Sequence, residues 1–201
     1  MKLILSKIKT YFGKLDKLLL FMCMGIACFA VFIQYTLYEN DISSAVTASQ
    51  YKTQIIAFIA GIVIAMALAA INYKYLAKLW FIYVPLAMGL TLLLFTPLGI
   101  QREGADDIGW LDLGIMTIQP SEILKLAFIL SLAVHLSKVE DRMNEPIHFI
   151  LLCIHGAIPT LLIRQTGDDG SALVFLFIFI CMIFAAGLSW KYLVMIAVAI
   201  P

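Results

Sequence analysis

The sequence is poor in charged residues and in paired cysteines. Asp, Glu, Lys and Arg make up only 13% of its 201 residues, whereas 63% are hydrophobic, and the mean hydropathy is +0.99. Soluble domains are about half apolar and about a quarter charged. So few charged side chains cannot cover the chain with a polar surface, so its surroundings must be lipid. The net charge of +1 gives no overall attraction to nucleic acid, which we exclude as a partner.

Signatures of soluble enzymes are also missing. The sequence has no phosphate-binding glycine loop, nucleophile elbow or zinc signature. The three histidines lack acid or cysteine neighbours at ligand spacing, and mid-span His155 is predicted to be a hydrogen-bonded helix-packing residue. The four cysteines lie inside apolar runs without paired spacing, which predicts small buried hydrophobic side chains rather than disulfides or metal ligands; they are Cys23, Cys28, Cys153 and Cys181.

Long apolar runs are what the chain has instead. A helix needs about 20 apolar residues to cross the hydrocarbon core. Suitable runs lie at 18–38, 53–72, 79–97, 121–137, 147–163 and 171–189, and a further run begins at Tyr192 and stops at Pro201. We therefore predict an all-α, polytopic transmembrane helix bundle of about seven spans, the last one truncated, in a single membrane domain over residues 1–201. Residues 1–16 read as an amphipathic basic segment on the cytoplasmic leaflet.

The basic residues predict the orientation. Lys and Arg near the ends of spans stay in the cytoplasm. A cytoplasmic N-terminus puts most of them inside, leaves Lys52, Arg102 and Arg164 outside, and gathers most acids outside as well. We therefore predict that the N-terminus is cytoplasmic.

The first polar region, residues 99–125, is predicted to lie outside. Pro120 suits the first turn of the fourth span, where its missing N–H costs nothing. Glu122 then falls in the first turn, and Lys125 emerges on the same helix face. The two can form a structural ion pair, line a polar cavity open to the outside, or do both. Tight turns are predicted at three glycines, Gly104, Gly109 and Gly114.

The second polar region, residues 164–171, follows the fifth span. Gly167 and Gly170 bracket Asp168 and Asp169. Either acid can cap the next helix, or it can coordinate a cation or position a polar headgroup. Arg164 can bind a phosphate through its planar guanidinium, or merely extend to the interface.

The two regions carry a family resemblance over essentially the whole chain. The first holds Trp110-Leu111-Asp112-Leu113-Gly114, then Gln119-Pro120-Ser121-Glu122 and Lys125. The second holds Asp168-x-Gly170-Ser171-Ala172-Leu173, then Gly187-Leu188-Ser189-Trp190-Lys191. In order, spacing and topology these blocks resemble the SEDS family, the RodA/FtsW/SpoVE proteins of cell shape, division and sporulation.

The resemblance implies a function. SEDS proteins are multi-pass glycosyltransferases of the bacterial plasma membrane that polymerise lipid II, an undecaprenyl-pyrophosphate-linked disaccharide-peptide, beside a class B penicillin-binding protein. By resemblance, Glu122 and Lys125 lie in the polar central cavity, and either Asp168 or Asp169 is the family's acid after the fifth span, with Asp168 preferred. Further candidates for contact with substrate or membrane lipid are Trp110, Gln119 and Arg164.

The resemblance also places the catalytic aspartate beyond residue 201, so we expect no catalytic residue within this chain and no polymerisation by the chain alone. A divalent cation, Mg²⁺ or Mn²⁺, could help to stabilise phosphate charge. Two other functions stay open: a lipid II flippase or transporter, since polar groups in a bundle cavity suit either, and a non-catalytic truncated membrane partner of a penicillin-binding protein. Roles in elongation, division and sporulation are equally compatible with the sequence.

Overall fold

The computed structural model describes residues 16–40, 48–71, 73–102, 104, 106–114, 117–189 and 191–192. The chain forms two compact units, residues 1–72 and 73–201. All but Asp16 of the amphipathic segment 1–16, and all but Tyr192 of the run that ends at Pro201, lie outside the described residues. Those two elements, and the single membrane domain, stay predictions.

The first unit contains two long apolar helices, α1 (Lys17–Glu39) and α2 (Ala48–Ala70). Helix α1 begins after Asp16, whose carboxylate accepts a hydrogen bond of 3.0 Å from the backbone N–H of Leu19. The side chains of the span-forming parts of both helices are not buried in the protein. Such exposure of apolar residues suits helices whose solvent is lipid, because a helix satisfies its backbone hydrogen bonds internally.

The second unit surrounds helix α5 with four other helices and adds a small sheet. Its elements along the chain are α3 (Tyr73–Lys78), α4 (Trp80–Leu92), a 3-10 turn (Leu93–Phe95), β1 (Gly99–Ile100), β2 (Trp110–Asp112), β3 (Thr117–Ile118), α5 (Pro120–Val139), a 3-10 turn (Glu140–Arg142), α6 (Pro146–Arg164) and α7 (Asp169–Ala185).

The six complete predicted spans correspond to helices α1, α2, α4 with its 3-10 turn, α5, α6 and α7. The all-α class is therefore confirmed. Among the described residues, α1, α2 from Gln50 onwards and α6 are long and apolar enough to cross a membrane, while α4 and α7 are shorter apolar helices. Helix α5 has 20 residues but carries polar side chains along its length. The short helix α3 was not predicted.

Helix α5 provides most of the core of the second unit. It packs against α4, α6 and α7, and its buried apolar side chains recur at helical spacing, among them Leu124, Phe128, Leu132 and Leu136. Helices α6 and α7 approach closely where Gly156 faces Phe179: a Cβ at position 156 would lie 2.7 Å from Cδ2 of the ring. Gly156 therefore sets the distance between these two helices.

The first polar region folds into a three-stranded antiparallel sheet that was not predicted. Trp110 pairs with Ile100, and Leu111 pairs with Ile118 and is fully buried. Gly104 and Gly114 have φ of 79° and 78°, so the predicted turns there are confirmed. The prediction of a turn at Gly109 is wrong, because this residue leads directly into β2. A Cβ at position 109 would collide with the Asp107 carboxylate.

The cysteine prediction was partly wrong. All four thiols are free, but Cys23, Cys28 and Cys181 are exposed, and Cys153 is half-buried. The reason is that an apolar run in a membrane helix has a lipid-facing side, so apolar neighbours in sequence do not imply burial within the protein.

Candidate functional site at the outer end

The two polar regions meet at one end of the second unit. We call this end, where α5 begins and α6 ends, the outer end, following the predicted orientation. The backbone N–H of Ile108 donates a hydrogen bond of 2.9 Å to the carbonyl oxygen of Thr166. Gly167, with φ of 88°, packs so closely that a Cβ there would lie 3.3 Å from Cα of Asp107. Two segments more than fifty residues apart are thus held together by main-chain contacts.

Glu122 and Lys125 form the predicted ion pair. The Lys125 ammonium donates a hydrogen bond of 2.6 Å to Oε1 of Glu122. The lysine side chain is 18% exposed, but the carboxylate side chain is 60% exposed. Pairs of this kind along an exposed helix contribute only about 0.3–0.5 kcal/mol. The pair is therefore a weak stabilising element, and the polar cavity around it stays a prediction.

Gln119 and Ser121 flank the start of α5. Gln119 is the residue before the first turn and makes no side-chain capping hydrogen bond. Its amide lies close to β2, because a Cβ added at Gly109 would be 3.8 Å from Nε2 of Gln119. Ser121 is buried, and its hydroxyl has no hydrogen-bond partner among the described residues. The start of the helix thus offers polar groups that the described part of the fold does not use.

Trp110 carries a guanidinium on its ring. The Cζ atom of Arg102 lies 3.5 Å from the centre of the indole ring, a cation–π contact worth about 0.5–1 kcal/mol at an exposed site. Arg102 lies on the side predicted to be outside, but it was not predicted as a site residue. Its position among the few basic residues outside was the available signal.

Asp168 and Asp169 have different partners. The Asp168 carboxylate accepts a hydrogen bond of 2.7 Å from the backbone N–H of Ser171, so its predicted capping role is confirmed. Oδ1 of Asp169 lies 3.6 Å from Nε of Arg164, and both side chains are largely exposed. Surface pairs of this kind contribute about 0–1 kcal/mol. The assignment of Asp168 as the family's acid stays a prediction.

The outer end does not join all candidates into one network. Across the described ranges, no hydrogen bond or ion pair links the Glu122–Lys125 pair to Asp168 or to the Arg164–Asp169 pair. The described residues also contain no group of three or more His, Cys, Asp or Glu side chains able to hold a metal ion.

A second polar cluster lies deeper, between α5 and α6. The Ser131 hydroxyl is 3.0 Å from Nε2 of His155, and the Nδ1 atoms of His155 and His135 are 3.0 Å apart. The hydrogen-bonded role predicted for His155 is confirmed. Ser131 and His135 were not selected from the sequence, although their four-residue spacing puts both on one face of α5.

Replacing Asp168 by alanine is expected to destabilise the protein by about 1 kcal/mol, because α7 loses its N-cap. Asp169→Ala, the matched control, removes an exposed carboxylate and its weak surface pair with Arg164, and should stay within about 0.5 kcal/mol of the wild type. Each variant is heated in detergent, and the fraction that stays monodisperse is recorded against temperature. The shift in the unfolding midpoint from the wild type measures the loss of stability. Equal effects of the two variants would contradict the capping role.

The model of the FtsW/RodA/SpoVE family, described as cell cycle proteins, matches residues 14–200. This chain belongs to the FtsW/RodA/SpoVE family. It is a membrane protein, as its apolar helices and its family indicate.

The FtsW/RodA/SpoVE relatives of the chain are named as enzymes. It is 32% identical over 200 residues to a probable peptidoglycan glycosyltransferase FtsW from Geobacter sp. (strain M18), covering 92% of this chain and 52% of that protein. It is 26% identical over 202 residues to the peptidoglycan glycosyltransferase MrdB of Escherichia coli K12, covering 96% and 51%. The chain thus spans about half the length of the curated relatives it matches.

Solved structures share the fold. A chain from a study titled "Structural coordination of polymerization and crosslinking by a peptidoglycan synthase complex" aligns with a TM-score of 0.71 at 23% identity, covering 90% of this chain and 51% of that one. The rod shape determining protein RodA of Thermus thermophilus aligns with a TM-score of 0.64 at 25% identity, covering 86% and 56%.

Proposed function

We propose that this chain forms part of a peptidoglycan glycosyltransferase that polymerises lipid II at the outer face of the bacterial plasma membrane. The observation that carries the proposal is Lys125, a cation only 18% exposed, at a membrane helix start in a chain of the FtsW/RodA/SpoVE family. A charge in that place is costly unless it is paired or turned toward a wet, functional cavity. The exposed Glu122 is a weak partner, which leaves room for a stronger anion.

The proposed ligand supplies that anion. Lipid II carries a pyrophosphate between its lipid and its sugars, so this group lies at the membrane–water interface. Lys125, Arg164 and Arg102 all belong to the outer end, and guanidinium groups match phosphate oxygens through paired N–H donors. Trp110 offers an apolar face at the same interface. These three cations therefore bind the diphosphate of lipid II, while Gln119 and Asp168 belong to the polar edge of the proposed binding site.

The reaction itself forms one glycosidic bond. The acceptor sugar hydroxyl attacks the anomeric carbon of the donor, and the bond from that carbon to the pyrophosphate-lipid breaks. A carboxylate acts as general base and takes the hydroxyl proton; we propose that it lies beyond residue 201. Lys125 and Arg164 stabilise the charge that develops on the leaving diphosphate.

The partner and the cofactor are proposals of the same kind. A class B penicillin-binding protein beside this membrane unit would cross-link the new strands, and the structural neighbour from a peptidoglycan synthase complex supports this arrangement. A divalent cation stays a prediction, because the described residues bring no three suitable ligands together.

A vesicle assay tests the proposal. The protein is purified from its native membranes, together with whatever partner accompanies it, and reconstituted with lipid II bearing a fluorescent peptide. We expect glycan strands that a muramidase digests. Movement of lipid II between leaflets without strands would indicate a flippase instead. Absence of both, with a penicillin-binding protein co-purified, would indicate a non-catalytic partner, and either result would refute the proposal.

A further inference from the structure

One cavity of the second unit extends from near the start of α5 toward its cytoplasmic end. Its volume is about 560 Å³, and it lies between α4, α5 and α6. That volume falls within the range of about 300–1,000 Å³ that is typical of ligand sites. Most of its lining is apolar, including Met88, Phe128 and Ile158, but Ser131, His135 and His155 supply a polar patch.

The cavity has the length of one lipid leaflet. Its lining on α5 runs from Leu124 to His135, and eleven residues of helix rise about 16 Å. Half of a hydrocarbon core of about 30 Å is nearly the same distance. His135 lies one turn before the cytoplasmic end of α5, so the polar patch is at the inner side. The lining is centred on α5, four positions from each end of the helix, and an acyl chain that enters beside the polar patch can extend along its apolar part.

His135 has a ring nitrogen left over for a ligand. Its Nδ1 is held 3.0 Å from Nδ1 of His155, and Nε2 of His155 is held by the Ser131 hydroxyl. With both imidazole rings neutral, the protons of this hydrogen-bonded row, Ser131–His155–His135, can be arranged in two ways. The Ser131 hydroxyl also lies 3.1 Å from the carbonyl oxygen of Phe128, and when it donates there, Nε2 of His135 is left as an acceptor. When Ser131 donates to His155 instead, His155 donates to His135, and Nε2 of His135 carries a hydrogen. A ligand carbonyl beside Nε2 would select that arrangement.

A cation lies one turn further toward the cytoplasm. The Lys138 ammonium is 5.6 Å from the ring centre of Trp80 at the start of α4, and tryptophan favours the membrane interface. Lys138 is three positions after His135 on α5, a rise of about 4.5 Å. Nearby charges are mixed: Glu140, Asp141 and Arg142 form the next turn, and Glu145 lies 3.5 Å from His148. Lys138 forms no ion pair with an acid among the residues that the structure describes.

We propose that this cavity binds one acyl chain of an anionic phospholipid from the cytoplasmic leaflet, with the ester carbonyl on His135 and the phosphate on Lys138. In a phospholipid the ester carbonyls lie just below the phosphate, in the order in which His135 and Lys138 follow each other along α5. Basic pockets between membrane helices on the cytoplasmic side recognise anionic headgroups in this way. The inference does not depend on whether the protein polymerises lipid II.

Photolabelling in nanodiscs tests the site on the full protein. The probes are phosphatidylglycerol and phosphatidylcholine with the same diazirine-bearing acyl chain, and labelled peptides are mapped by mass spectrometry. We expect phosphatidylglycerol to label the cavity residues Met88, Phe128 and Ile158 more strongly than phosphatidylcholine. His135→Leu should reduce this labelling about tenfold, the effect of losing one hydrogen bond worth about 1.4 kcal/mol.

The second variant separates the phosphate contact from the fold. Lys138→Gln changes a side chain at the helix end and should abolish the preference for phosphatidylglycerol while phosphatidylcholine labelling persists. The matched controls are His148→Leu and Lys191→Gln, inner-end residues outside the cavity, which should leave labelling unchanged. Equal labelling by the two lipids in the wild type, or no effect of His135→Leu, would overturn the proposal.

A photoreactive amino acid at Ile154 identifies other occupants in living cells. Ile154 lines the cavity, so we expect a lipid adduct there. Cross-linking to another polypeptide, to a second copy, or to another segment of the same protein would show that a helix fills the cavity and would overturn the lipid site.

Discussion

Lys125→Met in the proposed peptidoglycan glycosyltransferase is expected to reduce lipid II polymerisation about 100-fold, the usual effect of removing one group that stabilises charge in a transition state, while the protein still inserts and folds. Methionine keeps the length of the side chain and its helix propensity. The variant therefore removes the ammonium and little else. Glycan strands made from fluorescent lipid II, separated on gels, measure the rate.

Two companions make the Lys125 result specific. Lys52→Met alters an exposed lysine on the side predicted to be outside, and it should keep the wild-type rate. Glu122→Gln leaves the ammonium without its carboxylate partner, so it should lower the rate less than Lys125→Met. If Lys125→Met polymerises like the wild type, the ion pair has only a structural role.

Gly156→Leu will destabilise the second unit by about 1–3 kcal/mol or more, the cost of overpacking a filled core. A Cβ at this position would already lie 2.7 Å from the ring of Phe179, which is buried. Helices α6 and α7 must then separate or Phe179 must leave its position. Thermal unfolding in detergent should show a midpoint lowered by about 2–4 °C for each kcal/mol.

A rescue and a control accompany the Gly156 variant. Phe179→Ala in the same chain opens room for the leucine, so the double variant should lose less stability than the sum of the two single variants. Gly89→Leu, in α4, is the matched control because nothing lies within 4 Å of a Cβ there. It should be neutral or slightly stabilising, since leucine favours a helix by about 1 kcal/mol over glycine. Additive losses would argue against the Gly156–Phe179 contact.

Most of the helical fold could be predicted because each membrane span is determined by the length and hydropathy of one contiguous segment. An apolar run such as 147–163 becomes α6 (Pro146–Arg164) whatever its neighbours are, since only its length and hydropathy matter. The sheet formed by β1, β2 and β3 could not be predicted. Strands of two or three residues are too short for alternation to be read, and the glycines between them suggest only turns.

The candidate site was predictable in its local contacts and not in its long-range ones. The Glu122–Lys125 pair follows from three-residue spacing on one helix, and the Asp168 cap follows from its place before α7. The contact of Ile108 with Thr166 and the position of Arg102 over Trp110 depend on how separate segments return to each other. The spacing of residues along the sequence does not tell which distant segments come into contact.

The Ile108–Thr166 junction has a consequence for how such sequences can diverge. Its hydrogen bond joins a backbone N–H to a backbone carbonyl, and every residue except proline can supply both. Substitutions of Ile108 and Thr166 therefore keep this hydrogen bond, whereas Gly167 must stay glycine because its φ is positive. Inserting or deleting a single residue would shift the two main chains out of alignment. At Ile108 and Thr166 themselves, relatives should therefore differ more in residue type than in the length of chain around these two positions.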